Sequence, residues 1–181
     1  MENLRAAYQH AKVGKGWYRE VKEIEKDVDG YLSKIQKTLI DHTYHTSEYT
    51  MFVKNEGKQR KIYKLPFYPD RIVQWAIIQV IEPYILPGLI TDTYSALPGK
   101  GIAYGVKRVR KELDKYPREC EYCLKFDIRH YYQSINHRIM KQKWAELIKD
   151  PQTLWLLGEI IDSINTAETG DPWVIEPETG V

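Results

Sequence analysis

The sequence predicts an α+β fold that is mostly helical, with one β-hairpin and one further short strand. In most of the chain, apolar residues recur at helical spacing. Residues 49–65 and 121–126 depart from that spacing, because they are rich in β-forming residues or alternate apolar with polar ones. With 181 residues, of which 43% are hydrophobic, the chain is long enough to bury a core. The net charge of +2 does not by itself indicate a nucleic-acid-binding protein.

The same composition indicates a cytoplasmic protein without a membrane partner. No apolar run approaches the ~20 residues of a membrane span, and the N-terminus has no apolar signal region. The only two cysteines, Cys120 and Cys123, form a C-x-x-C pair. A zinc site would need a second ligand pair at suitable spacing, so we expect two ordinary thiols.

Two helices are predicted before the hairpin. The first covers residues 1–13, and Gly14 and Gly16 end it with a flexible break. The second covers residues 17–40. The apolar faces are Leu4, Ala7, Tyr8 and Ala11 in the first helix, and Ile24, Val28, Tyr31, Leu32, Ile35 and Leu39 in the second.

The hairpin consists of predicted strands at 49–54 and 59–65, joined by a turn around Gly57. Its charges are mostly positive: Lys54, Lys58, Arg60, Lys61 and Lys64 against Glu56. Two interpretations stay open. The charges can be a solvated edge that prevents pairing with other sheets, or a cationic finger that lies over a triphosphate.

A long helix follows the hairpin. Asp70 lies in its first turn, where a carboxylate interacts favourably with the helix dipole. Pro83 and Pro87 end the helix in steps. Its predicted apolar face consists of Val73, Ile77, Val80, Ile81 and Tyr84.

A loop over residues 92–101 leads to a helix over residues 102–116. Gly99-Lys100-Gly101 lacks the spacing of a nucleotide-binding P-loop, but a helix N-terminus with a lysine can hold a backbone phosphate. The helix carries the cations Lys107, Arg108, Arg110 and Lys111. They can follow a nucleic-acid backbone, or form a solvated face that acidic neighbours partly neutralise.

The alternation over 121–126 predicts a short strand that ends at Asp127. A carboxylate at a strand end is held rigidly and suits Mg²⁺, although such an aspartate can also serve as a turn or cap residue. Asn136 and Asp150 are predicted N-caps of two further helices, the second over 152–164. The tail, 165–181, is predicted to be a loop or hairpin.

Several of these motifs resemble, in order and spacing, those of bacterial reverse transcriptases of the group II intron, retron and diversity-generating retroelement type. The matching runs are Gly57-Lys58-Gln59-Arg60, Leu65-Pro66, Asp70-Arg71-Ile72-Val73-Gln74, Val80-Ile81-Glu82-Pro83, Gly99-Lys100-Gly101 and Phe126-Asp127-Ile128 with Tyr131-Tyr132. The resemblance covers nearly the whole chain. It implies a fingers domain over 1–119 and the start of a right-hand polymerase palm over 120–181.

The resemblance also implies roles for individual residues. Asp127 is the catalytic carboxylate, and Asp127 with Ile128 marks the position of the Mg²⁺ cofactor. Tyr132, five positions beyond Asp127, would collide with a 2′-hydroxyl and so favour deoxynucleotides, whereas Tyr131 is expected in the core. Lys58 and Arg60 would meet the incoming triphosphate.

Further positive residues are assigned to nucleic acid. By the same resemblance, Arg71 would brace the fingers or contact the template. By their charge and their place at the start of the helix or along it, Lys100, Lys107 and Arg108 are expected to bind nucleic acid. The implied partners are an RNA template, a DNA primer and deoxynucleoside triphosphates. An exposed edge of the palm sheet could in addition lead to self-association.

The implied activity is RNA-directed DNA synthesis by two-metal phosphoryl transfer. One aspartate cannot clamp two metal ions, and the sequence contains no Tyr-x-Asp-Asp motif to supply the others. We therefore expect the chain to be the front part of such an enzyme and to extend no primer alone. The alternative is a non-catalytic RNA-binding module on the same scaffold, such as a splicing or defence factor.

Overall fold

The structure is a computed structural model that describes residues 1–55, 57, 59–128, 131–132 and 134–164, with only the backbone of Arg60. The α+β class is confirmed, and helices predominate within this part of the chain. The elements are α1 (Glu2–Lys12), α2 (Arg19–Ile24), α3 (Val28–Ile40), β1 (Thr50–Asn55), β2 (Gln59–Lys64), α4 (Ile72–Ile85), α5 (Ile102–Lys115), α6 (His137–Leu147) and α7 (Pro151–Asp162). Among these residues, no helix is both long enough and apolar enough to cross a membrane.

The chain divides into two compact units. The first unit contains Met1–Tyr84 and the described residues from Tyr132 onward, and the second is Ile85–Tyr131. The division into fingers over 1–119 and palm over 120–181 stays a prediction.

The first unit has a hydrophobic core built mainly by its N-terminal helices. The apolar face predicted for α1 is confirmed, since its members are buried. The core consists of Leu4, Ala7, Tyr8, Ala11, Val21, Ile24, Leu32, Ile35, Tyr44, Phe67, Ile72, Val73 and Ala76. Each large apolar side chain that is fully buried there contributes roughly 1.5–3 kcal/mol relative to an exposed one.

The single helix predicted over 17–40 is wrong, because the structure has two helices there. α2 ends at Ile24, and Asp27 becomes the N-cap of α3, with its carboxylate accepting a hydrogen bond from the Gly30 N–H at 2.9 Å. A Cβ atom on Gly30 would lie 2.0 Å from Asp27 Oδ2, so glycine leaves the space that this cap occupies. The apolar stripe runs through the break, which is why its spacing alone did not indicate the break.

The predicted hairpin is confirmed. β1 and β2 pair antiparallel in a register that sets Thr50 opposite Lys64 and Lys54 opposite Arg60. In the turn, Gly57 has a φ of +71°, in the region that favours glycine. Every residue of β1 is exposed, so the hairpin does not lie over the core.

The segment Phe67–Arg71 leads from β2 into α4 and is kinked at Tyr68, whose backbone is extended (φ −108°, ψ 132°). α4 continues through Pro83 to Ile85, and a short 3₁₀ turn then ends the helical stretch. The predicted apolar face was too long, because Val80 and Tyr84 are 42% and 58% exposed. Beyond Ile77, α4 buries only Ile81 among its residues.

Two predicted N-caps on the C-terminal helices are confirmed. Asn136 accepts a hydrogen bond from the Ile139 N–H at 3.0 Å, and Asp150 accepts one from the Thr153 N–H at 2.7 Å. Both bonds satisfy N–H groups that a helix start would otherwise leave without a partner. The loop or hairpin predicted for 165–181 lies outside the described residues.

The strand predicted over 121–126 is wrong, since residues 122–128 belong to no helix or strand. Its alternating apolar side chains are exposed: Tyr122, Leu124, Phe126 and Ile128 at 57–87%. Alternation indicates which side of a sheet a residue would face, but a strand forms only with a hydrogen-bonded neighbour. The described part of the chain pairs no other segment with this one, and the sheet of a polymerase palm is therefore not shown.

We expect Asp27→Ala to destabilise the first unit by about 1 kcal/mol, because the Gly30 N–H loses its acceptor. The control is Asp29→Ala, which removes an exposed ion pair with Arg5 and a favourable first-turn charge but no cap, and should cost about 0.5 kcal/mol. Urea unfolding measures both free energies. Equal effects of the two substitutions would contradict the assignment of Asp27 as the cap.

Candidate functional site

One face of the hairpin concentrates positive charge. Side chains alternate between the two faces of a strand pair, so the register places Lys54, Arg60 and Lys64 together on one face. Phe52 and Ile62 share that face, and the Phe52 side chain is 45% exposed. We call these five residues the cationic face.

The register sets two basic residues opposite each other on the cationic face. Lys54 is the cross-strand partner of Arg60. A phosphate-bearing ligand at this pair would meet two cationic groups at once. The opposite face carries one lysine, Lys61, and Lys58 lies outside the described residues.

A buried carboxylate lies where the hairpin joins the core. Asp70 is completely buried, and its Oδ1 accepts hydrogen bonds from the Tyr44 hydroxyl at 2.8 Å and the Ser47 N–H at 3.1 Å. Burial raises the pKa of Tyr44 far above its usual value, and the hydrogen bond to Asp70 acts in the same direction. The raised pKa favours the protonated hydroxyl, which is the form that donates this bond to Asp70.

The sequence predicts only an interaction of Asp70 with the helix dipole, and its hydrogen bonds to Tyr44 and Ser47 are not predicted. The sequence contains a signal for the burial of Asp70. Phe67, Asp70 and Val73 recur at a spacing of three residues, which places Asp70 on the same side as two apolar residues, and all three are buried. A carboxylate on the buried face of an apolar run requires hydrogen-bond donors. Neighbouring Arg71, by contrast, is exposed and donates to the Gln74 side chain at 3.2 Å.

The second unit holds a network of charged and polar side chains around Asp92. Arg108 Nε lies 2.9 Å from one carboxylate oxygen of Asp92, and a terminal guanidinium nitrogen lies 3.2 Å from the other. The Tyr94 hydroxyl donates to Asp92 at 2.6 Å, and Glu112 lies 3.6 Å from Arg108. The Arg108 guanidinium, followed by the Tyr94 hydroxyl, lowers the pKa of Asp92 to about 2. These groups line a groove of about 270 Å³ with Val109, Leu113 and Cys120.

The three residues predicted to bind nucleic acid on this unit differ in their surroundings. Arg108 is engaged with Asp92, and the Lys100 ammonium donates to the Thr91 carbonyl at 2.8 Å. Lys107 is exposed on α5. A phosphate group would have to compete with internal acceptors for Arg108 and Lys100.

The predicted catalytic aspartate lies in the second unit and is exposed. Asp127 Oδ1 accepts a hydrogen bond from the Ile128 N–H at 3.0 Å. Tyr132 is 76% exposed, and Tyr131, predicted to lie in the core, is 52% exposed. The core prediction for Tyr131 is therefore wrong, because the predicted strand before it did not form.

The described residues do not build a complete magnesium site. Asp127 can supply one carboxylate ligand. Within the described ranges, no three histidine, cysteine, aspartate or glutamate side chains are grouped to hold a metal ion. The described residues therefore do not by themselves fit a two-metal centre.

We expect the Asp92 carboxyl to titrate near pH 2 instead of at its ordinary 3.8. Because its pKa is lowered by folding, the interaction stabilises the folded chain above about pH 4 and is lost as the pH falls towards 2. NMR titration of the carboxyl carbon measures this. Arg108→Gln should move the midpoint towards 3.8, whereas Lys107→Gln should not, and a wild-type midpoint near 3.8 would contradict the pairing.

Comparison with known proteins shows a partial similarity. No protein-family model matches the chain. The chain is 26% identical over 109 residues to "Protein YkfC" of Escherichia coli (strain K12). The match covers 60% of this chain and 28% of that protein, so the chain spans less than a third of the length of the curated relative it matches.

Proposed function

We propose that the chain is the fingers and the first part of the palm of an RNA-directed DNA polymerase of the bacterial type. The observation that carries the proposal is the cationic face of the hairpin, where Lys54, Arg60 and Lys64 share one side of an exposed strand pair. The ordered motifs that follow it, through Arg71 and up to Asp127, support the same assignment.

In this proposal the hairpin binds the triphosphate of the incoming deoxynucleotide. Lys58 and Arg60 neutralise the charge that builds up on the phosphates, since charge-assisted hydrogen bonds to phosphate are the strongest kind. Arg71, exposed on the turn that follows the hairpin, contacts the template or braces the fingers. Lys100, Lys107 and Arg108 contribute to nucleic-acid binding.

Asp127 and Tyr132 act at the sugar and at the reacting phosphate in the same proposal. Asp127 would supply one ligand to bound Mg²⁺, whose chemistry would be activation of the primer hydroxyl and stabilisation of the leaving pyrophosphate. Asp127 provides one carboxylate, with Ile128 beside it, and the ring of Tyr132 excludes a 2′-hydroxyl. The other carboxylates must come from outside this chain, so the chain alone extends no primer.

A non-catalytic RNA-binding module is the second candidate, and one observation favours it. Asp127 has no grouped metal ligands among the residues that the structure describes. Both candidates require RNA binding through the cationic face. Only the polymerase requires the hairpin to recognise a nucleoside triphosphate.

We expect the 181-residue chain to bind single-stranded RNA with an affinity that falls as salt rises, because bound cations release counterions from the phosphates. Arg60→Gln should lower the slope of log affinity against log salt by about one. Lys61→Gln is the matched control, because it removes the same charge from the opposite face of the hairpin. Fluorescence anisotropy at several salt concentrations measures the slopes, and equal losses in the two variants would contradict a site on the cationic face.

We expect a deoxynucleoside triphosphate to shift the amide resonances of β1 and β2, with a dissociation constant on the order of 1 mM for so open a site. The nucleoside monophosphate should shift them much less, because it carries fewer charges. Arg60→Gln should abolish the difference between the shifts caused by the triphosphate and those caused by the monophosphate. RNA binding without a preference for the triphosphate would favour the non-catalytic module instead of the polymerase.

A further inference from the structure

A single carboxylate connects the two ends of the hairpin. Tyr44 and Ser47 lie on the segment that leads from α3 into β1, whereas Asp70 lies on the segment that leads from β2 into α4. Both donors bond to the same oxygen of Asp70, at 2.8 and 3.1 Å. The chain entering the hairpin and the chain leaving it are therefore joined at one atom.

Both segments are also attached to the helices around them. On the leaving side, Glu20 accepts hydrogen bonds from the backbone N–H groups of Phe67 and Tyr68, at 2.7 and 3.1 Å. On the entering side, the Tyr49 hydroxyl lies 3.0 Å from the Ser163 hydroxyl. The base of the hairpin is thus anchored on both sides, while β1 is exposed along its whole length.

The second carboxylate oxygen of Asp70 gives this arrangement an energetic cost. Oδ2 is buried and accepts no hydrogen bond from the described residues. A buried polar atom without a donor lowers the stability of the fold, and a buried carboxylate does so more strongly. Core stability alone therefore does not account for a carboxylate at this position, since one of its buried oxygens has no donor among the described residues.

We propose that Asp70 is a positioning residue, which fixes the direction in which the hairpin presents its cationic face to a phosphate-bearing ligand. The part of the proposal that concerns the ligand rests on the proposed function of the hairpin. The part that concerns the hairpin rests only on the contacts of Asp70. Rotation of the strand pair about its base would break one or both hydrogen bonds to Oδ1.

The test combines hydrogen exchange with RNA binding in the 181-residue chain. Asp70→Ala removes the acceptor, so the amides of β1 and β2 should exchange about tenfold faster while those of α1 keep their rates. Affinity for single-stranded RNA should fall about tenfold. Asp70→Asn keeps an acceptor oxygen of the same shape, so it should restore both properties to within about twofold of wild type.

Tyr44→Phe keeps the test decisive if Asp70→Ala does not fold. It removes one donor and retains the ring, so hairpin exchange should accelerate about threefold. Tyr8→Phe is the matched control, because the Tyr8 hydroxyl is also buried but has no hydrogen-bond partner among the described residues. Equal exchange in Tyr44→Phe and Tyr8→Phe, or failure of Asp70→Asn to restore the hairpin, would overturn the proposal.

The two measurements also separate this proposal from the function of the hairpin. Wild-type chain that binds no RNA would refute the proposed function, and hairpin exchange in the variants would still decide the role of Asp70. If hairpin amides exchange faster in Asp70→Ala but its affinity for RNA equals that of wild type, the positioning role is overturned while the proposed function stays in place.

Discussion

The hydrogen bonds that Asp70 accepts from Tyr44 and Ser47 are the constraint on which the candidate site depends. A two-stranded hairpin is marginally stable in water by itself, and β1 is exposed along its length. Its geometry must therefore be set where it leaves the helical core. Because Tyr44, Phe67 and Ile72 belong to that core, Asp70 transmits the rigidity of the packed helices to the base of the strands.

Patterns that act over two to four residues predicted the local structure well. The hairpin followed from β-forming residues around a glycine turn, and the N-caps at Asn136 and Asp150 followed from side chains three residues before their donors. The break between α2 and α3 obeys the same capping rule at Asp27. The break was not predicted because apolar residues continue at helical spacing across it, and this periodicity outweighed the single capping residue.

Features that depend on distant partners could not be predicted from spacing. The alternation before Asp127 was present, but a strand needs a neighbour, and without one the expected core position of Tyr131 also failed. Arg108 has the sequence context of a phosphate-binding residue. Its guanidinium, however, is already paired with the carboxylate of Asp92, sixteen positions away. Asp70 is the converse case, since its donors lie 23 and 26 positions upstream.

The two groups of cations differ in what a phosphate would gain from them. At Arg108 an incoming phosphate must displace a bidentate carboxylate. The ion pair that the phosphate forms with Arg108 is therefore offset by the ion pair that Asp92 loses. On the hairpin, the register pairs Lys54 with Arg60 across the strands, so a phosphate there would meet two basic residues at once. The net charge of +2 conceals this difference, because it counts both groups alike. This difference favours the hairpin, more than α5, as the element to which the proposed function assigns the phosphate-bearing ligand.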